Sequence, residues 1–122
     1  MRKSPAVWFE IYVQDMDRAR KFYESVLQGK LEKLGSPGMD MWAFPGDMNA
    51  PGAGGALVKM QGVPSGGSTL IYFGCEDCAV EEGRVKKSGG SIHKPKFSIG
   101  EYGFITLAVD TEGNMFGLHS MK

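Results

Sequence analysis

The feature that most constrains the fold is an order of patterns that occurs twice. In residues 6–60 a strand pattern is followed by a helix pattern and three short strand patterns; in residues 68–120 the same order returns. A shift of about 62 residues lays Asp15 on Asp77, Met16 on Cys78 and Trp8 on Leu70. The identities are few, so the repeat is one of periodicity rather than of residues. A single βαβββ unit has an unpaired sheet edge and an uncovered face, and a second unit can bury both. The expected fold is therefore α+β. One domain over residues 1–122 is built from two βαβββ modules at about 6–60 and 68–120, a length that can hold a real core.

Ala6 to Val13 is the first strand. Val7, Phe9, Ile11 and Val13 share one purely apolar face, which should pack on a helix. Ala6, Trp8, Glu10 and Tyr12 share the other, where aromatic rings surround one carboxylate and suit a ligand cavity. Asp15 is a good N-cap. Met16, Ala19, Phe22, Tyr23, Val26 and Leu27 then recur at helical spacing as one apolar stripe, and Gly29 is the expected stop. Lys30–Leu34, Met39–Phe44 and Gly55–Met60 read as short strands. A turn at Gly35–Gly38 and the loop PGDMNAPGAGG separate them. The second round is a strand at Ser68–Gly74, a helix at Glu76–Ser88 and a strand at Ser91–Phe97 broken by Pro95. A hairpin closes it, Phe104–Val109 and Asn114–Ser120, around the turn Asp110-Thr111-Glu112-Gly113.

Charge and apolar content exclude several classes. Fourteen Lys and Arg balance fourteen Asp and Glu, so the basic excess that nucleic acid or an anionic membrane requires is missing. No apolar run is long enough to cross a bilayer. The basic N-terminus leads into a strand that contains Glu10, not a signal sequence. With two cysteines, this fits a reducing cytosol.

The segments FEIYVQDMDRARKFYESVLQ and GEYGFITLAVDTEGNMFGLHS, with GGALVK and PSGGSTLIYF, resemble the vicinal oxygen chelate superfamily. That superfamily includes glyoxalase I, bleomycin-resistance proteins and extradiol dioxygenases. The matching segments look like those of small single-domain bacterial members. The resemblance implies eight strands in two incompletely closed four-stranded barrels, each flanked by a helix, and commonly a homodimer. Metal enzymes of the superfamily carry His, Gln or Glu on the first strand of each unit and Glu on the last. The matching positions in this chain are Trp8, Leu70 and Gly117, with the fourth falling within Gly55–Val58. None is a metal ligand, whereas a divalent ion needs about three or four protein donors. The resemblance therefore carries over neither a metal centre nor a cofactor, and Trp8 puts a stacking surface where the ion would sit.

The expected function is binding of a small aromatic or apolar molecule. Trp8, Tyr12, Trp42, Leu70, Tyr72 and Phe104 would line a concave face, with Glu10 and His119 fixing polar groups. No catalytic residue is assigned. The alternative is a glyoxalase-like lyase or isomerase with a displaced metal, held through Glu10 and His119, or with metal-free acid/base chemistry. A third class, a partner-binding dimer module, predicts a barrel filled by Trp8, Trp42 and Phe104. Cys75 and Cys78 have C-x-x-C spacing, but no parallel-strand redox pattern surrounds them and Cys78 falls on a core position. His93, in the polar run IHKPK, reads as exposed.

Overall fold

The computed structural model describes residues 1–35, 38–47, 49–67 and 69–122. Ser36 and Pro37 of the expected turn, Met48 of the loop and Ser68 of the fifth strand lie outside the described residues. In chain order the elements are β1 (Ala6–Tyr12), α1 (Met16–Leu27), β2 (Glu32–Lys33), β3 (Asp40–Ala43), β4 (Gly54–Lys59), β5 (Thr69–Gly74), α2 (Cys78–Val85), β6 (Ser91–Ser98), β7 (Phe104–Val109) and β8 (Met115–Ser120). The fold is α+β, with the doubled βαβββ order. The chain divides into two compact units, Trp8–Thr69 and Met1–Val7 with Leu70–Lys122.

In the first unit the strand order is β2-β3-β4-β1. β1 runs parallel to β4, and β3 is antiparallel to both its neighbours. Asp15 caps α1 by accepting a hydrogen bond from the Arg18 amide at 3.0 Å. The core joins Val13, Met16, Leu31 and Leu57, with Ile11, Ala19, Tyr23, Trp42 and Phe44 packed against it. The stripe of α1 is narrower than its sequence suggests. Phe22, Val26 and Leu27 are 59, 60 and 62 % exposed. Arg20 takes the sheet-facing flank instead, its guanidinium 3.5 Å from the centre of the Trp42 ring. The helix ends in the left-handed region at Gln28 rather than at Gly29.

In the second unit the order is β5-β8-β7-β6, with β5 parallel to β8 and β7 antiparallel to both neighbours. Here α2 is held largely by polar contacts. The Glu82 carboxylate accepts from the buried Thr106 hydroxyl at 2.8 Å and from the Lys96 amide at 2.6 Å. The Ser120 hydroxyl accepts from the Cys78 amide at 2.9 Å. Asp77 caps the helix and pairs with the Lys96 ammonium at 2.9 Å. The register of β6 against β7 shifts on either side of Lys94, and the second shift spans Pro95, which has no amide to donate. The hairpin turn closes on Asp110. Its carboxylate accepts from the Glu112 and Asn114 amides at 2.8 and 2.9 Å, while Gly113 adopts φ 86°.

These contacts set the sign of the pH response. The Lys96 hydrogen bond, then that of the Ala79 amide, holds the Asp77 carboxyl below its ordinary 3.8. The Asn114 and Glu112 amides do the same for Asp110. Their stabilisation is present above 3.8 and lost as pH falls through the lowered values. Lys96 is raised from 10.5, chiefly by its hydrogen bond to Asp77; its contribution is present below 10.5 and lost as pH rises through the raised value. Urea midpoints measured against pH should fall on both limbs. The acid limb should flatten in an Asp77→Asn/Asp110→Asn double variant; an unchanged slope would contradict these assignments.

Candidate functional site

Residues paired across neighbouring strands share a face of the sheet. In the first unit the register Trp8↔Gly54, Glu10↔Ala56 and Tyr12↔Val58 sets these residues on the face opposite the α1 core. Glu10 is 7 % exposed. Its carboxylate lies between its two aromatic neighbours on that face. The Trp8 indole N–H donates to Oε2 at 3.2 Å, and the Tyr12 hydroxyl donates to Oε1 at 2.8 Å. A buried carboxylate needs such donors, and an alternating strand supplies both without help from a loop. The Trp8 and Tyr12 rings remain partly exposed. The Tyr12 phenol is pushed well above its ordinary 10.0, first by burial, then by the charge of Glu10 and the hydrogen bond it donates there.

Trp42 departs from expectation. Its partner Leu57 is a core residue, so it lies on the α1 side, between Arg20 and Asp40, which accepts its N–H at 3.2 Å. Alternation within β3 pointed its other face, Met41 with Ala43, at the helix. A recess of about 430 Å³ also opens on the α1 side, between the start of that helix and Ser65, with Val13, Phe22 and Tyr23 in its walls.

In the second unit Leu70, Tyr72 and His119 share one face: Tyr72 is paired with Gly117, and Gly74 with His119. Leu70 and Tyr72 are buried. His119 is fixed by its Nε2, 2.6 Å from the Tyr102 carbonyl. Because a carbonyl only accepts, Nε2 carries the proton and Nδ1 is left as the second nitrogen. Phe104 departs from expectation as Trp42 does. It is paired with Ser120 on the α2 side, under the Lys96 ammonium at 4.8 Å. Cys75 and Cys78 are free thiols, and Cys78 is fully buried. Burial, then the nearby Glu81 charge, pushes the Cys75 thiol up to about 11, which opposes thiolate chemistry. His93 is exposed on β6.

The positions where the superfamily carries metal ligands do not fit an ion. The Trp8 ring lies over Gly54, where an added Cβ would stand 3.2 Å from it. The Tyr72 ring occupies the space a side chain at Gly117 would need. Among the described residues no three His, Cys, Asp or Glu side chains are grouped to hold a metal.

The sequence profile of the Glyoxalase/Bleomycin resistance protein/Dioxygenase superfamily matches residues 6–118. No protein of curated function matches the sequence. Among solved structures, a superfamily member from Vibrio splendidus 12B01 superposes with a TM-score of 0.67 at 19 % identity, covering 96 % of this chain and 99 % of that one. A hypothetical protein from Bacillus halodurans C-125 gives 0.72 at 14 % identity, covering 99 % and 96 %. A variant of methylmalonyl-CoA epimerase from Streptomyces coelicolor, in complex with 2-nitronate-propionyl-CoA, gives 0.69 at 14 %, covering 95 % and 96 %. At these identities the likeness is one of fold.

Two outcomes check the site. Glu10→Gln replaces one acceptor oxygen with a donor facing another donor, and should cost about 1–3 kcal/mol of stability in urea unfolding. In the same variant the Tyr12 phenol should ionise closer to 10.0, seen by ultraviolet difference absorbance against Tyr12→Phe. An unmoved phenol titration would refute the Glu10 contact. The chain belongs to the Glyoxalase/Bleomycin resistance protein/Dioxygenase superfamily.

Proposed function

We propose that the protein binds a small aromatic or apolar molecule without the metal centre usual in its superfamily. The carrying observation is the Trp8–Glu10–Tyr12 strip. Two partly exposed rings stand on the sheet face away from α1, and their polar edges are tied to one buried carboxylate. Rings held this way are pre-oriented, so stacking on them costs little side-chain entropy. In the second unit, taken by itself, the oriented His119 shares a face with the buried Leu70 and Tyr72. Trp42 and Phe104, each on a helix side, are left out of this set. The protein is read as cytoplasmic and bacterial, and as a homodimer, a state that pairing of sheet edges favours.

Tryptophan fluorescence during titration with a broad aromatic library tests the reading. A saturable change that disappears in Trp8→Phe but persists in Trp42→Phe is expected. No response to any compound would count decisively against it. The second reading is a glyoxalase-like lyase or isomerase, and the oriented imidazole of His119 is the observation that favours it. Elemental analysis after incubation with nickel, zinc or manganese separates the two: stoichiometric metal that is lost in Glu10→Ala would favour the enzyme.

A further inference from the structure

We propose that the recess beside α1 is a second small-molecule site, one that takes an uncharged aromatic ring. Rings of the first unit form a row that leads out of its core. Phe9 meets Phe44 at 5.5 Å between ring centroids, Phe44 meets Tyr23 at 5.7 Å, and Tyr23 meets Phe22 at 5.1 Å. The last two contacts are edge-to-face, at 86° and 88°, an arrangement that the charge distribution of aromatic rings favours. Tyr23 is half-buried, but Phe22, the outermost ring, is 59 % exposed. The row therefore ends on a ring that is held from within. Among the described residues no further ring packs on its outer side.

That ring stands in the wall of the recess of about 430 Å³. Sites for small molecules run from about 300 to 1,000 Å³ and are walled mainly by apolar and aromatic groups. Val13, Ala19 and Tyr23 supply such a lining. The opposite wall is pinned. The Gln14 side-chain amide donates to the Val63 carbonyl at 2.9 Å, and the Ser65 hydroxyl donates to the Tyr12 carbonyl at 2.9 Å, which ties residues 63–65 to the end of β1. The rim carries one carboxylate, Asp15, and one guanidinium, Arg18, and Asp15 is engaged in capping the helix. A balanced rim over an apolar floor suits a neutral molecule and gives an ion no net attraction. A ring seated there adds a further partner to the row, against a face of Phe22 that Tyr23 has already oriented. The recess lies on the α1 side of the sheet, opposite Trp8, Glu10 and Tyr12, so the inference does not rest on the reading of that strip.

The probe is p-cresol, compared with cyclohexanol as a non-aromatic molecule of similar size, with the Val13, Ala19 and Tyr23 backbone amides followed by NMR. Saturable shifts are expected with p-cresol, its affinity weakened about fivefold in Phe22→Leu, which keeps apolar bulk and removes the ring. Because Phe22 is exposed, the variant should keep the fold, and unchanged amide spectra away from α1 check this. In Trp8→Phe the shifts should persist, which separates this site from the strip on the other face. Shifts that do not saturate, equal affinity for cyclohexanol, equal affinity in wild type and Phe22→Leu, or loss of the shifts in Trp8→Phe each overturn the proposal. So do shifts at these amides when the protein is concentrated without probe, which would assign the recess to a second copy of the chain.

Discussion

The structure depends most on how bulk is shared between the parallel strands of each unit. β1 beside β4, and β5 beside β8, bring side chains from two strands into the same narrow space. One strand fills it with aromatic rings and the other yields with glycine. The Phe9 ring lies where a Cβ on Gly55 would stand 2.5 Å away, Trp8 lies over Gly54, and Tyr72 over Gly117. Close packing makes each of these a choice between a ring and any second side chain. At Gly117 the choice has a chemical consequence. A position where the superfamily's metal enzymes carry a carboxylate cannot hold one while Tyr72 keeps its place.

The two helices are fastened by different means. α1 rests on an apolar core around Met16 and Leu57 and adds one cation–π contact, Arg20 on Trp42. α2 is shorter and is held by acceptors, Glu82, Ser120 and Asp77, each engaged with the sheet, the helix start or Lys96. Setting the half-buried Glu82 against the buried Thr106 is tolerable because its carboxylate has two donors. The duplicated fold thus repeats geometry without repeating energetics. This is consistent with the scarcity of identities between the halves.

Much of this was legible in the sequence. Strand alternation separated the Phe9 and Ile11 face from the Trp8, Glu10 and Tyr12 face, because one strand with one apolar side has a single sensible orientation. Asp15 and Asp77 marked both helix starts by their capping chemistry, and Asp110 with Gly113 marked the last turn. What was not legible required knowing a partner. Trp42 and Phe104 sit on strands whose wholly apolar face is the other one, Met41 with Ala43 and Ile105 with Leu107 and Val109, so alternation pointed that face, not theirs, at the helix. Phe22 and Val26 have the right spacing for a buried stripe, and only the stacking of Arg20 on Trp42 reveals that the sheet receives the other flank of α1.

Glu10 shows why a buried carboxylate in a strand need not be a catalyst. As a general base it would have to accept a proton from a substrate, yet its two oxygens already accept from Trp8 and Tyr12. Each oxygen keeps a second lone-pair site, but a further donor reaches it only past the two rings that the bonds hold in place. The arrangement is cheaper to keep than to break. It therefore favours a role in which Glu10 orients rings and the rings meet the ligand. The same reasoning applies to His119. Its Nε2 is committed to the Tyr102 carbonyl, so whatever it contributes to binding must come through Nδ1.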